Sequence, residues 1–555
     1  MPFTSRYPPL EIPKCNILSF VFPTGQQPSK KPIWIDAAEP SNNLSQADML
    51  SWIRRFAAGL DSLGVGHQQA VMVFTPNHIF VPLAYLAAAG SGRIFTGANP
   101  AYTVDEVAYQ MKIVRAAVLL IHPSLLSTGL AAARRANMPT SRIFQFAATE
   151  CLVQEGIPDW RALISTASAQ EADSWQWNPL LGDSSFSTIA AINFSSGTTG
   201  LPKGVCISHY NLVSNAAQNL ANKFYGTGRS EGNPGTENWL ATLPLYHAYS
   251  QLWTITLASR LQASVYVMSK FLFEDYLSYI EKYKITTLQA VPPILVMLNK
   301  RQETVKYRLT SLRTILCGAA PLSPELQYHV SKKLGAVVVQ GWGMTETTCA
   351  GIMIPGAMED NSGSVGYLLP NTEALLIDEE WNEVTNDEEP GELLLRGPQI
   401  MLKYWENESA TTETLTPQGW LRTGDVAVVK DGRFWIVDRK KELIKVNGLQ
   451  VAPAELEALL LEHDDVADAA VTGILLQDNE LPRAYVVRRE NAQTTEQALQ
   501  RFVEAKVAKH KRLAGGVKFV PEIPKLASGK IVRKTLREWS KRDSKEIEQK
   551  QAAKL

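Results

Sequence analysis

The chain has 555 residues, 45% hydrophobic and 20% charged, enough for one large domain and at least one smaller one. Lys plus Arg and Asp plus Glu are equal at 55 each, so no global field draws the protein to nucleic acid or to anionic lipid. Its five cysteines, Cys15, Cys151, Cys206, Cys317 and Cys349, lack C-x-x-C spacing, which argues against a disulfide framework and a structural zinc site. They read as buried thiols in a reducing compartment.

Residues 1–6 carry no basic patch leading into an apolar run, so no secretory signal is expected. The richest apolar stretch, 79–89, is broken by Pro82 and falls short of a membrane span, so no integral membrane segment is expected. Helical spacing over 48–60 ends at Gly64, and an apolar run over 70–74 reads as a buried strand. Similar strands are predicted over 117–121, 264–268 and 336–339, and this alternation implies an α/β architecture with largely parallel sheets.

The segment Ser195-Ser196-Gly197-Thr198-Thr199-Gly200-Leu201-Pro202-Lys203-Gly204 is the most informative of the chain. Glycines let backbone N–H groups approach an anion, hydroxyls add donors, and a lysine supplies charge, so the loop suits a polyphosphate. It is not a Walker A loop, because Pro202 precedes Lys203 and Gly204 follows it. A flexible connector is the alternative, but apolar, strand-like runs over 188–194 and 205–207 brace it on both sides.

After Glu346 the texture changes to glycine-punctuated strands over 363–367, 374–377, 391–396 and 434–437, the last following a Lys430-Asp431-Gly432-Arg433 turn. They predict an antiparallel sheet or barrel. Charged residues 438–442 interrupt the pattern, and a compact α+β segment runs to about Arg537. The division is therefore 1–437 and 438–555, with a charged, exposed, polar tail from Lys541. The final Ala553-Lys554-Leu555 resembles the peroxisomal address Ser-Lys-Leu, implying an import receptor as partner and the peroxisome as location, with the cytoplasm otherwise.

Further motifs follow the loop in order: Tyr246-His247-Ala248-Tyr249, Cys317-Gly318-Ala319-Ala320-Pro321, Gln340-Gly341-Trp342-Gly343-Met344-Thr345-Glu346, Arg422-Thr423-Gly424-Asp425, 438–451, and 524–530 ending at Lys530. Together they resemble the adenylate-forming superfamily over nearly the whole chain, closest to 4-coumarate:CoA ligases and related acyl- and aryl-CoA ligases. The resemblance implies a large N-terminal domain of two α/β subdomains plus a β-barrel-like subdomain. A small mobile α+β C-terminal domain with a flexible tail follows, hinged at 438–442, where charged, exposed residues suit a hinge. It also implies ATP, Mg2+ and coenzyme A, and a small-molecule carboxylic acid as substrate.

Carried over by resemblance, Ser195, Ser196, Gly197, Thr198, Thr199, Gly200 and Lys203 would hold the β- and γ-phosphates. Thr345 would contact the α-phosphate, Glu346 would help bind Mg2+, and Ala320, Gln340, Gly341 and Trp342 would border the adenine or AMP. Asp425 suits the ribose hydroxyls, since a carboxylate offers two acceptor oxygens, and Arg439 assists it. Lys530 would bridge the carboxylate and the α-phosphate in the adenylation pose. In the thioester pose Lys441, Lys445 and Gln450 would face the adenylate and Gly448 would flank pantetheine, although Asn447 departs from the lysine often seen there. His247 would sit at the mouth of the acid pocket, gating or packing rather than transferring protons.

The acid pocket would be walled by His247, Tyr249, Trp253, Cys317, Gly318, Ala319, Gly343, Cys349 and Ala350: small residues beside flat ones, with no second cation. Arylacetic, cinnamic and medium-chain aliphatic acids all fit that description, and relatives with such endings serve fatty-acid, phenylacetate or specialised metabolite pathways. A luciferase-like oxygenase and an inactive nucleotide-binding protein are the alternatives. A peptide-synthetase module is disfavoured, since no carrier-domain serine motif follows Lys530.

Overall fold

The computed structural model describes residues 2–165, 167–195, 202–356, 358–446, 449–476, 479–526 and 529–552. The helix predicted over 48–60 forms as Gln46–Ser62, started by Ser45, whose hydroxyl caps the Asp48 N–H while the Asp48 carboxylate accepts from the Ser45 N–H. Its Met49, Ile53, Phe56 and Leu60 fall on one helical face and are fully buried.

Two mixed sheets form the bulk of the large domain. In the seven-stranded sheet, Ile143–Gln145, Val118–Ile121, Ala70–Phe74, Ile94–Ala98 and Ile189–Ser195 run parallel, as the apolar runs predict for strands covered on both faces. The far edge is antiparallel: Lys203–Ser208 folds back on Ile189–Ser195, and Lys403–Tyr404 pairs beyond it. The two strands that the serine-glycine segment joins are thus paired, with Ser195 directly opposite Lys203. The nine-stranded sheet is parallel through Val337–Trp342, Thr314–Cys317, Thr287–Ala290, Asn238–Ala241, Ser264–Val267 and Pro32–Asp36. One continuous apolar core, including the fully buried Trp34, Trp160 and Trp239, joins both sheets.

A third, antiparallel sheet of five strands, Phe3–Thr4, Glu373–Ile377, Gly391–Arg396, Leu421–Lys430 and Arg433–Arg439, packs beside them. The strand expected over 363–367 shrinks to Tyr367–Leu368, because Gly363 and Gly366 take φ of 82° and 94°, outside the extended region.

The small domain has its own core, from Ile444 and Val446 through Leu456, Val471 and Val486 to Val517. It comprises a hairpin Ile444–Val446/Leu449–Val451, the helix Pro453–Glu462 and a three-stranded sheet built on Val466–Leu476 and Asn479–Arg488. Three sequence expectations need correction. Asp438 is buried rather than an exposed hinge residue, since strand Arg433–Arg439 runs through it and its carboxylate accepts from the Arg439 and Ala454 N–H groups. That burial pushes its pKa up to about 6. The tail expected to be flexible is helical as far as Ala552: Arg533–Ala552 keeps Lys541, Arg542 and Lys545 exposed but is anchored by a buried Asp543 that accepts from Arg483, Tyr485 and Lys518. Of the five thiols only Cys206 and Cys317 are fully buried, and Cys15, Cys151 and Cys349 are partly so; all five are free.

Candidate active site

The facing strand ends Ser195 and Lys203, the short turn Thr345–Thr347 and the edge strand Lys403–Tyr404 meet at one corner. Glu346, 4% exposed, accepts on Oε1 from Ser195 Oγ (2.9 Å) and Tyr404 Oη (2.8 Å). Lys203 Nζ lies 4.8 Å from the Tyr404 ring centroid, so the phenol tethers the carboxylate and steers the cation together. Tyr404 was not read from the sequence. An edge-strand tyrosine some two hundred residues from the loop carries no local signal of its partners. Ser196, Gly197, Thr198, Thr199 and Gly200 lie outside the described residues.

A second corner forms where the large sheet meets the antiparallel one. Asp425 pairs in register with Arg439 on the adjacent strand; its Oδ1 faces Arg439 Nε at 3.5 Å and its Oδ2 accepts from Trp342 Nε1 at 2.8 Å. Burial pushes the Asp425 carboxyl up, and Arg439, Trp342 and Lys530 pull it back toward the ionised form. Trp342 therefore orients this carboxylate and also lines the cavity between the two corners, where the sequence expectation set it beside adenine or AMP. The Gln340 side chain is directed elsewhere: its amide donates to buried Gln327 Oε1 at 2.7 Å, a packing role. Ala320 is half-buried and does not line the cavity, which Gly341 does.

Between the corners lies a cavity lined by His247, Tyr249, Trp253, Cys317, Gly318, Ala319, Gly341, Trp342, Gly343, Thr345, Cys349, Ala350 and Lys530, with Ala248, Leu316, Met344 and Met353 adding apolar surface. Every wall residue expected from the sequence is present. Gly343 is required by close approach: a Cβ there would stand 1.7 Å from the Cys349 carbonyl oxygen. Ala319 holds a φ of 70°, turning the chain at the cavity wall. Tyr249 Oη donates to the Leu316 carbonyl at 2.8 Å, and burial pushes its ionisation well above the usual range. Burial likewise pushes the Cys349 thiol up to about 12 and raises Cys317, so both stay protonated. Among the described lining residues, Lys530 is the single charged one.

His247 caps the turn Ala248–Ser250, its Nδ1 accepting from the Tyr249 N–H at 3.3 Å. Burial and the neighbouring Lys530 hold its pKa down to about 3, so it is a neutral imidazole in the cavity lining. A π-helical stretch, Gln251–Leu257, follows and carries Trp253 into the wall. Gln251 and Asn193 exchange amide hydrogen bonds of 2.8 and 2.9 Å, and Gln251 Nε2 also donates to the Tyr246 carbonyl at 2.8 Å. This buried pair ties the strand that ends in Ser195 to the segment that carries His247; the sequence reading missed it.

Lys530 comes from the small domain, on a turn where Gly529 (φ 80°) donates to the Leu526 carbonyl and a Cβ would stand 3.1 Å from Val291 Cγ2 of the large domain. Enclosure and Arg439 lower its pKa, while Glu346 and Asp425 support its charge. The other face of the small domain is elsewhere. Lys441, Lys445 and Gln450 are exposed, and Lys445 and Gln450 pair across their hairpin, so the structure does not bring them to the cavity. Gly448 and Asn447 lie outside the described residues.

The AMP-binding enzyme family matches residues 23–405, and the AMP-binding enzyme C-terminal domain matches 455–530. The chain is 36% identical over 547 residues to a phenylacetyl-CoA ligase of Aspergillus niger, covering 97% of this chain and 98% of that protein. It is 34% identical over 545 residues to a peroxisomal OPC-8:0-CoA ligase of Arabidopsis thaliana, covering 96% and 95%. In fold it matches the crystal structure of an anthranilate CoA ligase in complex with anthranoyl-AMP, with a TM-score of 0.84 at 24% identity over 98% of this chain and 99% of that one. With a family match over most of its length and such relatives end to end, the chain belongs to the AMP-binding enzymes, as an adenylate-forming acyl-CoA ligase.

Proposed function

We propose that the protein activates an apolar carboxylic acid as its acyl-adenylate and passes the acyl group to CoA, with Lys530 serving the first step and the Lys441–Gln450 face the second. The observation that carries this reading is the enclosure of Lys530 in a cavity that is otherwise uncharged among the described lining residues and lies between the Glu346 and Asp425 corners. A carboxylate must approach the α-phosphate of ATP, and the two anions repel. A buried ammonium between them lowers that cost, and a low-dielectric wall strengthens it. The carboxylate oxygen bonds to the α-phosphorus, the bond from phosphorus to the bridging oxygen breaks, and pyrophosphate leaves with the electron pair.

Thr345, which lines the same cavity as Lys530, would donate to the α-phosphate. Ser195, Lys203 and the loop residues 196–200 would hold the outer phosphates, and Asp425, oriented by Trp342 and Arg439, would take the ribose hydroxyls. Glu346 Oε2 accepts from none of the described residues, and no group of three or more metal-binding side chains occurs among them. One carboxylate completed by phosphate oxygens and water suits Mg2+, which when bound would neutralise phosphate charge.

For the second step the small domain would turn about residues 438–442, buried at Asp438 but exposed at Arg439 and Lys441, dividing the chain into 1–437 and 438–555. That rotation withdraws Lys530 and presents Lys441, Lys445, Gly448 and Gln450. The CoA sulfur then bonds to the acyl carbon, the bond to AMP oxygen breaks, and the thiol proton is released. Neutral His247 packs at the mouth as a gate. The uncharged wall favours aryl, arylacetic, cinnamic or medium-chain acids over diacids. The Ala553-Lys554-Leu555 ending supports peroxisomal import, as does the relative named for that organelle, and a place in specialised metabolite formation belongs to the same reading.

The test is pyrophosphate release with ATP and Mg2+ across a panel of aryl, arylacetic and aliphatic acids, with and without CoA. Acid-dependent release with a CoA thioester by mass spectrometry is expected; an adenylate that never reaches CoA, or no release with any acid, would overturn it.

A further inference from the structure

One helix of the large domain, Pro292–Lys300, touches the small domain at both ends. At its start, Val291 and Pro293 pack against Gly529, the residue before Lys530. At its end, Lys300 Nζ donates to three small-domain carbonyls: Leu461 (2.6 Å), Val466 (3.1 Å) and His463 (3.4 Å). Leu461 belongs to the last turn of helix Pro453–Glu462, where carbonyls lack partners within the helix and the helix dipole is negative. Nine residues of helix separate the two contacts, on the order of 13 Å at 1.5 Å per residue. Lys300 therefore stands apart from the cavity and does not line it.

We infer that Lys300 is a positioning residue that latches the small domain in the pose where Lys530 occupies the cavity, so that it serves adenylation and not thioester formation. The inference rests on the two-pose reading above. The geometry explains the residue type: an ammonium has three donors, and three carbonyls converge on it. A strong latch would hinder turnover, and this one is tempered. Burial, reinforced by Arg489 and opposed by Asp464, pushes the lysine down to about 8, so much of what the carbonyls supply is offset by lost hydration. The contact can only form when the end of Pro453–Glu462 faces the large domain. A rotation that presents Lys445 must break it.

The test compares wild type with Lys300→Met, which keeps the stem and removes the donors, and with Lys300→Arg, which restores them. Three readouts are taken: acid-dependent ATP–pyrophosphate exchange, thioester formation from supplied acyl-adenylate and CoA, and hydrogen exchange of 453–466 and 291–300 without substrates. Lys300→Met is expected to lower the exchange reaction about tenfold, the scale of a lost charged hydrogen-bond set, and to leave the thioester step equal or faster. Hydrogen exchange should quicken at 453–466, with Lys300→Arg recovering most of both effects. Equal losses in the two half-reactions, or no loss in either, would overturn the latch. Should the wild type activate no acid, the functional reading fails, and hydrogen exchange still decides: protection lost in Lys300→Met supports the latch, and unchanged protection removes it.

Discussion

The two faces of the small domain differ in how much the structure invests in them. Lys530 is enclosed, flanked by Arg439, Glu346 and Asp425, and braced by Gly529 against Val291. Lys445 and Gln450 are exposed on two paired strands and do not line the cavity that holds Lys530. The contrast shows where preorganisation is stored. On the proposed reading, in the pose described here it would belong to acid activation, and thiol transfer would depend on a rearrangement that trades one set of contacts for the other. Electrostatics points the same way, since a lysine held against its own desolvation gains most when an anion arrives.

The largest test of the contrast is Lys530→Ala. It should lower acid-dependent pyrophosphate exchange by about 100- to 1,000-fold, the cost of one preorganised donor, while thioester formation from supplied acyl-adenylate falls little. The mirror experiment, Lys445→Ala or Gln450→Ala, should cost about tenfold in the thioester step and spare the exchange reaction. If either variant reduced both steps alike, the two faces would not be specialised. Tyr404→Phe sharpens the picture of the phosphate corner: losing the 2.8 Å hydrogen bond to Glu346 should raise the apparent KM for ATP about three- to tenfold, read from initial rates at varied ATP and Mg2+.

The smallest expected effect is on pH dependence. Lys530 must carry its proton to act, and enclosure lowers its pKa, so exchange activity should decline as pH rises through a value below that of an exposed lysine. Lys530→Arg should move that decline out of the accessible range, at reduced rate. His247, held down to about 3, should add no step between pH 5 and 8.

Much of this was legible because chemistry and local backbone coincide in short motifs. Ser195 and Lys203 flank a glycine-rich segment, and apolar runs on both sides give the strands that oppose them. The cavity walls were legible because small residues cluster in the motifs, and Gly343 is small because the Cys349 carbonyl passes close to it. What escaped depends on side-chain direction and distant partners. Gln340 sits in the right motif but turns to Gln327, a choice set by packing against helix Pro324–Leu334. Asn193 with Gln251, Tyr404 with Glu346, and Lys300 with Leu461 each join positions 58 to 161 residues apart, and no spacing rule reaches that far. Asp438 looked like an exposed hinge from its charged neighbours, yet a strand and a helix start converge on its carboxylate.

The anchored final helix changes what shortening the chain means. Arg483, 9% exposed in its side chain, relies on Asp543 for its counter-charge, and Tyr485 and Lys518 share that carboxylate. A stop codon a few positions before 543 would strand a guanidinium inside the small domain, a defect on the scale of ~3–5 kcal/mol. One placed after 552 would remove only Ala553, Lys554 and Leu555. Two truncations roughly a dozen residues apart thus separate a folding lesion from loss of the proposed address, and a fluorescent fusion of each would show degradation in the first and, if the ending is read by a receptor, cytosolic accumulation in the second.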